Sequence, residues 1–311
     1  MKEDNRTMVK EFILLAFSNF PQHQLLLFIV TLLTYIICIM GNTAIIAIVQ
    51  ADISLHTPMY FFISIFAFLE ILFVSVTVPK LLANLITANK RITFSGCFAQ
   101  LYVFNALGVT ECYLLAVMVF DRHLAINKPL QYSSIMSHGT CVLLAVAPWL
   151  IGFLVVIIPT VFTALLDFCG PNELNHFFCD LAPLQKLSCS DPYVSVISTS
   201  CTATFDVVVP FIIIISLYMH IIVAVFKLKG DVGKQKAFST CSSHIIVASL
   251  FYGTAIIVYV NPMGSQYDRF LALMYTIFTP VINPFIYTLR NREVKGVLKK
   301  KIRQLQQFCY K

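Results

Sequence analysis

Seven apolar stretches, each long enough to cross a bilayer, recur along the 311 residues of this chain, and no other feature restricts its fold as tightly. A crossing helix needs about 20 mostly apolar residues, because hydrocarbon offers no partner for an open backbone N–H or C=O. The stretches run near Leu25–Val49, Pro58–Leu82, Cys97–Ile126, Thr140–Phe162, Tyr193–Phe226, Ala237–Val260 and Phe270–Leu289. The sixth starts polar, with Ser239, Thr240, Ser242, Ser243 and His244 in its first turns. Pro79, Pro159, Pro210 and Pro280 lie inside stretches and predict kinks, since neighbouring helices can satisfy the freed backbone groups. Only 12% of residues are charged, against roughly 25% in soluble domains, and mean hydropathy is +0.81. A water-soluble core of this length is thereby disfavoured. The expected fold class is an all-α membrane protein, a seven-transmembrane helix bundle with a short amphipathic cytoplasmic helix, forming one domain over residues 1–311.

Orientation follows from charge. Residues 1–20 are polar and charged with no apolar run of the signal-peptide kind, so the first stretch is expected to act as the anchor. Asn5-Arg6-Thr7 is the chain's one acceptor sequence for N-glycosylation. Its place ahead of the first stretch suits an extracellular segment 1–24, at Asn5. With that end outside, 14 of the 22 Lys and Arg fall on the cytoplasmic side, among them Lys227, Lys229, Lys234, Lys236, Lys299, Lys300, Lys301 and Arg303. That is the positive-inside pattern. The net charge of +7 then reads as topology and attraction to anionic membrane lipid, with no nucleic-acid partner required. In the tail 291–311, Val294, Val297, Leu298, Ile302 and Leu305 recur at helical spacing between lysines, as in a helix lying on the inner leaflet. Cys309 beside it is a candidate palmitoylation site.

Ten cysteines divide by compartment. Cys97 opens the third stretch on the outer side, and Cys169, Cys179 and Cys189 lie in the extracellular loop 163–192, so these four can oxidise. Four cysteines allow three connectivities, which spacing does not choose between. His176, Cys179 and Asp180 also form a candidate set for a soft cation, against which a disulfide-stapled lid is preferred.

Several polar residues stand at membrane depth. Asp121-Arg122 closes the third stretch, 24 residues from Cys97, about 36 Å along a helix, so the pair reaches the inner surface. There the arginine can be clamped by its neighbour or released to a partner; simple snorkelling is the bland alternative. Glu70 and Glu111 lie near mid-membrane, where an unpaired carboxylate costs at least ~3 kcal/mol, so each should face the bundle interior. Asp206 shares a helix face with Thr202 and either meets a ligand or bonds a neighbouring helix. Phe104, Asn105, Gly108, Val109 and Cys112 form one stripe of the third helix, with Gly108 leaving room beside it. No catalytic or phosphate-loop pattern occurs in a plausible context, so no enzyme is expected. A transporter would favour internal repeats or matched broken helices, and neither is present.

Seven motifs stand in order along these stretches: Gly41-Asn42, Leu55-His56-Thr57-Pro58-Met59-Tyr60, Val78-Pro79-Lys80, Phe120-Asp121-Arg122, Ser216-Leu217-Tyr218, Lys236-Ala237-Phe238-Ser239-Thr240-Cys241-Ser242-Ser243-His244, and Pro280-Val281-Ile282-Asn283-Pro284-Phe285-Ile286-Tyr287. By them the chain resembles the odorant (olfactory) receptors, a subfamily of the rhodopsin-like G-protein-coupled receptors, over essentially its whole length. The resemblance implies disulfides Cys97–Cys179 and Cys169–Cys189. It implies a small, mostly hydrophobic odorant bound in the outer half of the bundle by Phe104, Asn105, Gly108, Val109, Cys112, Thr202, Asp206, Tyr252, Ala255, Ile256, Tyr259, Leu273 and Thr276. It implies a stimulatory, olfactory G protein docking at Arg122, with Asp121, Tyr218 and Tyr287 in the switch and cyclic AMP as the output. It places Glu70 and Glu111 beside Asn42 and Asn283, where relatives hold a sodium ion; a shared proton is the other reading. No other cofactor is implied, and the expected location is the plasma membrane of olfactory cilia. A receptor of the same fold for a non-odorant small molecule is the nearest alternative. Phe104 stands where amine-binding relatives carry aspartate, which disfavours a biogenic amine, although Asp206 leaves an opening for one. His123 replaces the usual tyrosine after the arginine, and Tyr252 and Thr254 stand in place of a Trp-x-Pro element.

Overall fold

A computed structural model of the chain describes residues 9–15, 17–18, 21–87, 89–227, 245–253, 272–290 and 294–297. Helix α1 spans Gln24–Ala51, α2 Pro58–Ile86, α3 Phe94–Asn127, the short α4 Tyr132–Ile135, α5 His138–Val155, α6 Ile157–Ala164, α7 Leu181–Leu187 and α8 Tyr193–Lys227. Residues 245–253 form α9, and α10 covers Thr279–Arg290. Local signals start several of these helices. Pro58 sits in the first turn of α2, where its missing N–H costs nothing. Thr93 Oγ1 accepts from Gly96 N at 3.1 Å to cap α3, and the Ser137 hydroxyl accepts from Thr140 N at 3.4 Å to cap α5.

Among the described residues five helices are long and apolar enough to cross a membrane, with the unit α5–α6 counted as one, and Met274–Ile286 is a shorter apolar helix. The expected stretches and these helices agree within a few residues, except that α2 and α3 run past the expected ends. The sixth stretch is described only at 245–253, so all of its motif, Lys236 to His244, lies outside the described residues. Helix α3 runs through the middle, packed on α2, α5 and α8, while α1 packs on α2 and α10. Outward faces are apolar: Leu25, Met40, Leu143, Leu150, Ile212 and Phe226 are all exposed. Contiguous apolar surface on this scale suits lipid, not water.

Proline acts unequally. The fourth span breaks at Val156, between α5 and α6, because Pro159 cannot donate to the carbonyl of Val155. Before α10, Met274–Phe278 is a π-helical turn, and Pro280 follows it, withholding the N–H that Thr276 would have accepted. Helix α2 continues through Pro79 and α8 through Pro210. Gly152 of α5 meets α3 so closely that a Cβ there would collide with the Ala106 carbonyl and the Thr110 hydroxyl.

One end of the bundle carries a folded lid. Strand β1 (Glu11–Leu14) pairs antiparallel with β2 (Arg91–Thr93) and parallel with β3 (Glu173–Leu174), in the order β2-β1-β3. Arg91 and Glu11 form an ion pair at 2.5 Å across the first pair. Beneath the sheet, Phe12, Leu14, Phe98, Leu101, Phe168 and Leu174 form a small core of their own. The segment ahead of the first span is therefore only partly the polar leader its composition suggests. Phe12 and Leu14 alternate with Glu11 and Ile13 at period two, which buries one face of a strand.

Candidate functional site

Two disulfides anchor the lid. Cys97 at the start of α3 bonds Cys179, with Cα atoms 5.5 Å apart. Cys169 bonds Cys189 across 6.0 Å. With Cys179 in a bridge and His176 stacked on Phe177, the cation reading of His176, Cys179 and Asp180 loses its thiolate. Gln100, one turn beyond Cys97, ties three elements together: its amide donates to the Val76 carbonyl of α2 at 2.9 Å, and its side-chain oxygen accepts from Cys179 N at 3.0 Å.

Below the lid lies a cavity of about 290 Å³. The stripe expected on α3 lines it through Phe104, Asn105, Gly108, Val109 and Cys112, and α8 contributes Thr202 and Asp206. Sequence spacing alone placed these on two separate helices; the packing of α3 on α8 brings them to one space. Asn105 spends its amide on the Leu101 carbonyl at 2.9 Å, within its own helix. Three expected contacts are placed elsewhere. The Tyr252 hydroxyl of α9 donates to the Cys112 carbonyl at 3.1 Å behind the cavity wall. Thr276 donates to the Ala272 carbonyl at 2.7 Å, and Leu273 is buried outside the lining. In their stead Phe251 and Tyr275 supply the walls from the sixth and seventh spans. Ala255, Ile256 and Tyr259 lie outside the described residues.

Gly108 has a different neighbour from the one anticipated. A Cβ there would sit 3.3 Å from the Tyr275 hydroxyl, so the glycine admits a side chain of the seventh span. Phe104 does double duty, lining the cavity and joining a column of rings. Phe178 of the lid meets it at 4.6 Å between centroids, and Phe73 of α2 at 4.8 Å. Tyr275 continues the column from Phe73 at 5.6 Å, and Phe251 from Tyr275 at 5.5 Å. Aromatic packing of this kind makes lid and helix ends one body.

Deeper in the bundle, Asn283 donates to Glu70, and both are buried. Glu111 of α3 lies within electrostatic range of Glu70. Asn42 spends its amide on the Cys38 carbonyl at 3.0 Å, and Cys38 in turn lies within electrostatic range of Glu70. Glu70 Oε2, Glu111 Oε1 and Asn283 Oδ1 are buried without a hydrogen-bond partner among the described residues. Three such oxygens suit a hard cation, whose ligands are oxygen atoms.

At the far end Arg122 is clamped by Asp121, through Nε at 2.9 Å and a second, closer contact from its terminal nitrogen. The other carboxylate oxygen accepts from the Tyr132 hydroxyl of α4 at 2.6 Å. Burial, and then the bond to Asp121, hold that phenol above its usual range. Tyr218 is buried on α8, and His123 packs edge-on to His220 at 5.7 Å.

A family model described as olfactory receptor matches residues 31–305. The chain belongs to the olfactory receptor family. It is similar to Olfactory receptor 6E1 of Mus musculus, 45% identical over 308 residues that cover 98% of each protein. It is also similar to Olfactory receptor 10A7 of Homo sapiens, 43% identical with 97% of this chain and 96% of that protein covered. Olfactory receptor 1M1 of Mus musculus shares 45% identity over 96% of this chain and 97% of its own length. The receptor is thus a multi-pass membrane protein of the G-protein-coupled class with a seven-helix bundle, and not an enzyme.

Some of the receptor's site residues carry no signal in the sequence. Gln100, Gln185 and Tyr132 are single polar residues without a motif, and Tyr275 sits in an apolar run. Gln185 of α7 donates to Ser195 at 2.8 Å and to Thr199 at 2.9 Å, joining the lid to α8. Only its buried, doubly bonded place reveals it.

Proposed function

We propose that this olfactory receptor binds a small, mostly hydrophobic odorant in the cavity beneath the lid and activates the stimulatory olfactory G protein to raise cyclic AMP. The observation that carries the reading is the cavity itself, walled by α3, α8, Phe251 and Tyr275, apolar for the most part and with a few convergent polar groups. At about 290 Å³ it lies near the lower limit of ligand pockets, so the odorant is compact. Membership of the family supports the G-protein partner, and the clamped Arg122 supports the site of coupling.

In this reading the lid is extracellular, Asn5 carries a glycan, and the Asp121–Arg122 end faces the cytoplasm of olfactory cilia. Ligand contacts include Phe104, Asn105, Gly108, Val109, Cys112, Thr202 and Asp206. Tyr252 acts from behind, through its bond to the Cys112 carbonyl, while Leu273 and Thr276 support the wall made by Tyr275. Ala255, Ile256 and Tyr259 extend the site. A ligand must favour the arrangement in which Arg122 leaves Asp121, with Tyr218 and Tyr287 stabilising that form. Each 1.4 kcal/mol of preference shifts the two populations about tenfold. Glu70, Glu111 and Asn283 would hold a sodium ion, with Asn42 positioned by Cys38. Bound there, the ion supplies the counter-charge that two buried carboxylates lack.

The test is cyclic AMP in cells co-expressing the receptor and the olfactory stimulatory G protein, across a broad odorant panel, with Arg122→Ala as control. A dose-dependent rise, lost in the variant at equal surface density, is expected. A response that persists in Arg122→Ala would remove the arginine from coupling.

A further inference from the structure

Asp206 is the only acidic residue of α8. It is 1% exposed, it lines the cavity, and neither carboxylate oxygen has a hydrogen-bond partner among the described residues. A buried carboxylate retained for architecture is tied to a neighbour, as Glu70 is to Asn283. Left without one, it costs several kcal/mol when ionised.

The polar groups nearer the lid are satisfied among themselves. Thr199 stands seven residues before Asp206, about 10 Å along the helix, and receives the Gln185 amide at 2.9 Å. The second acid of the cavity, Asp180, accepts from Leu181 N at 2.8 Å as the cap of α7. Burial pushes its carboxyl up to about 6, so it is still charged at neutral pH. Among the described lining residues there is no Lys, Arg or His. Among its described residues the cavity therefore holds two acids and no positive charge, so an anionic ligand finds no partner there, whereas a cation finds a carboxyl able to pair with it.

We propose that this cavity selects short aliphatic amines, with the protonated ammonium seated on Asp206 and the hydrocarbon tail against Phe104, Val109, Val207 and Phe251. The assignment rests on the cavity being the receptor's ligand site. An ammonium has three donors; two reach the carboxylate oxygens, and the third reaches the hydroxyl of Thr202, one turn away on the same face. The absence of an acid at Phe104 does not oppose this, because the counter-charge is supplied from α8 across the same space.

The experiment compares hexylamine, hexanol, hexanal and hexanoic acid, which share a tail and differ in head group. Two readouts are taken: cyclic AMP in cells, and thermal stabilisation of the purified, detergent-solubilised receptor. Hexylamine is expected to act at a concentration at least tenfold below hexanol and hexanal on both, with hexanoic acid silent. Asp206→Asn should abolish that preference by weakening the hexylamine response at least tenfold more than the hexanol response, and Asp206→Glu should restore part of it. Should Asp206→Asn not reach the surface, the wild-type ranking decides alone. Stabilisation by hexylamine without a cyclic AMP rise would defeat the coupling reading and leave the amine site standing. An alcohol, aldehyde or acid that matches the amine overturns the proposal. So does an Asp206→Asn variant that loses the amine, alcohol and aldehyde responses equally, and so does a receptor that hexylamine fails to stabilise.

Discussion

At Asp121 two donors from different elements converge on one buried carboxylate, Arg122 from the next position and Tyr132 from α4. The adjacency of Asp121 and Arg122 was legible in the chain, because neighbours on a helix end share a surface. Tyr132, eleven positions on, was not; a turn between two helices must fold back before its hydroxyl reaches the acid. A hydrogen bond to a charged group contributes about 1.5–3 kcal/mol. Tyr132→Phe should therefore loosen the clamp and raise ligand-independent cyclic AMP severalfold at equal surface density. Unchanged basal signalling would show that Tyr132 does not hold Arg122 in its resting place. Gly108 teaches the same lesson in reverse: small size was visible, but its neighbour, the Tyr275 hydroxyl, was decided by a helix more than 160 residues away.

Among the elements, the lid departs furthest from what composition suggests. Its strands come from three segments far apart in sequence, and its core is Phe12, Leu14 and Phe168 packed over Cys97 and Cys179. Asp180 adds a pH dependence to it. Burial raises its carboxyl from 3.8 to about 6, so between those values the folded lid binds a proton that the unfolded chain does not. Stability consequently falls as pH rises through this window, and the penalty is complete above it. The shift sets an upper bound of about 3 kcal/mol. Asparagine keeps an oxygen for Leu181 N and carries no charge. Asp180→Asn should thus melt at a higher temperature than the wild type near pH 7, with the gain shrinking towards pH 4. A gain independent of pH would assign the effect to something other than ionisation.

For the molecule as a whole, the disulfide link between lid and bundle is the Cys97–Cys179 bond, which closes a loop of 82 residues. Removing a native disulfide costs about 2–5 kcal/mol, and here it would also release Gln100 from Cys179 N. Cys97→Ser is expected to abolish receptor at the cell surface, measured by antibody staining of intact cells. Full surface density with normal ligand responses would take this bond out of the account.

The sequence by itself determined the number and course of the spans and the Asp121–Arg122 pair. Each is a local property, read by one stretch of chain against a uniform apolar solvent or its surface. Tertiary structure alone decided which residues face one another: Gln100 between α2 and the lid, Tyr275 against Gly108, and Asn42 on Cys38 instead of Glu70. It also decided that Asp206 points into a cavity where no described side chain answers it. Periodicity puts a residue on a face of its helix. Which helix covers that face, and at what depth, depends on long-range packing that no spacing encodes.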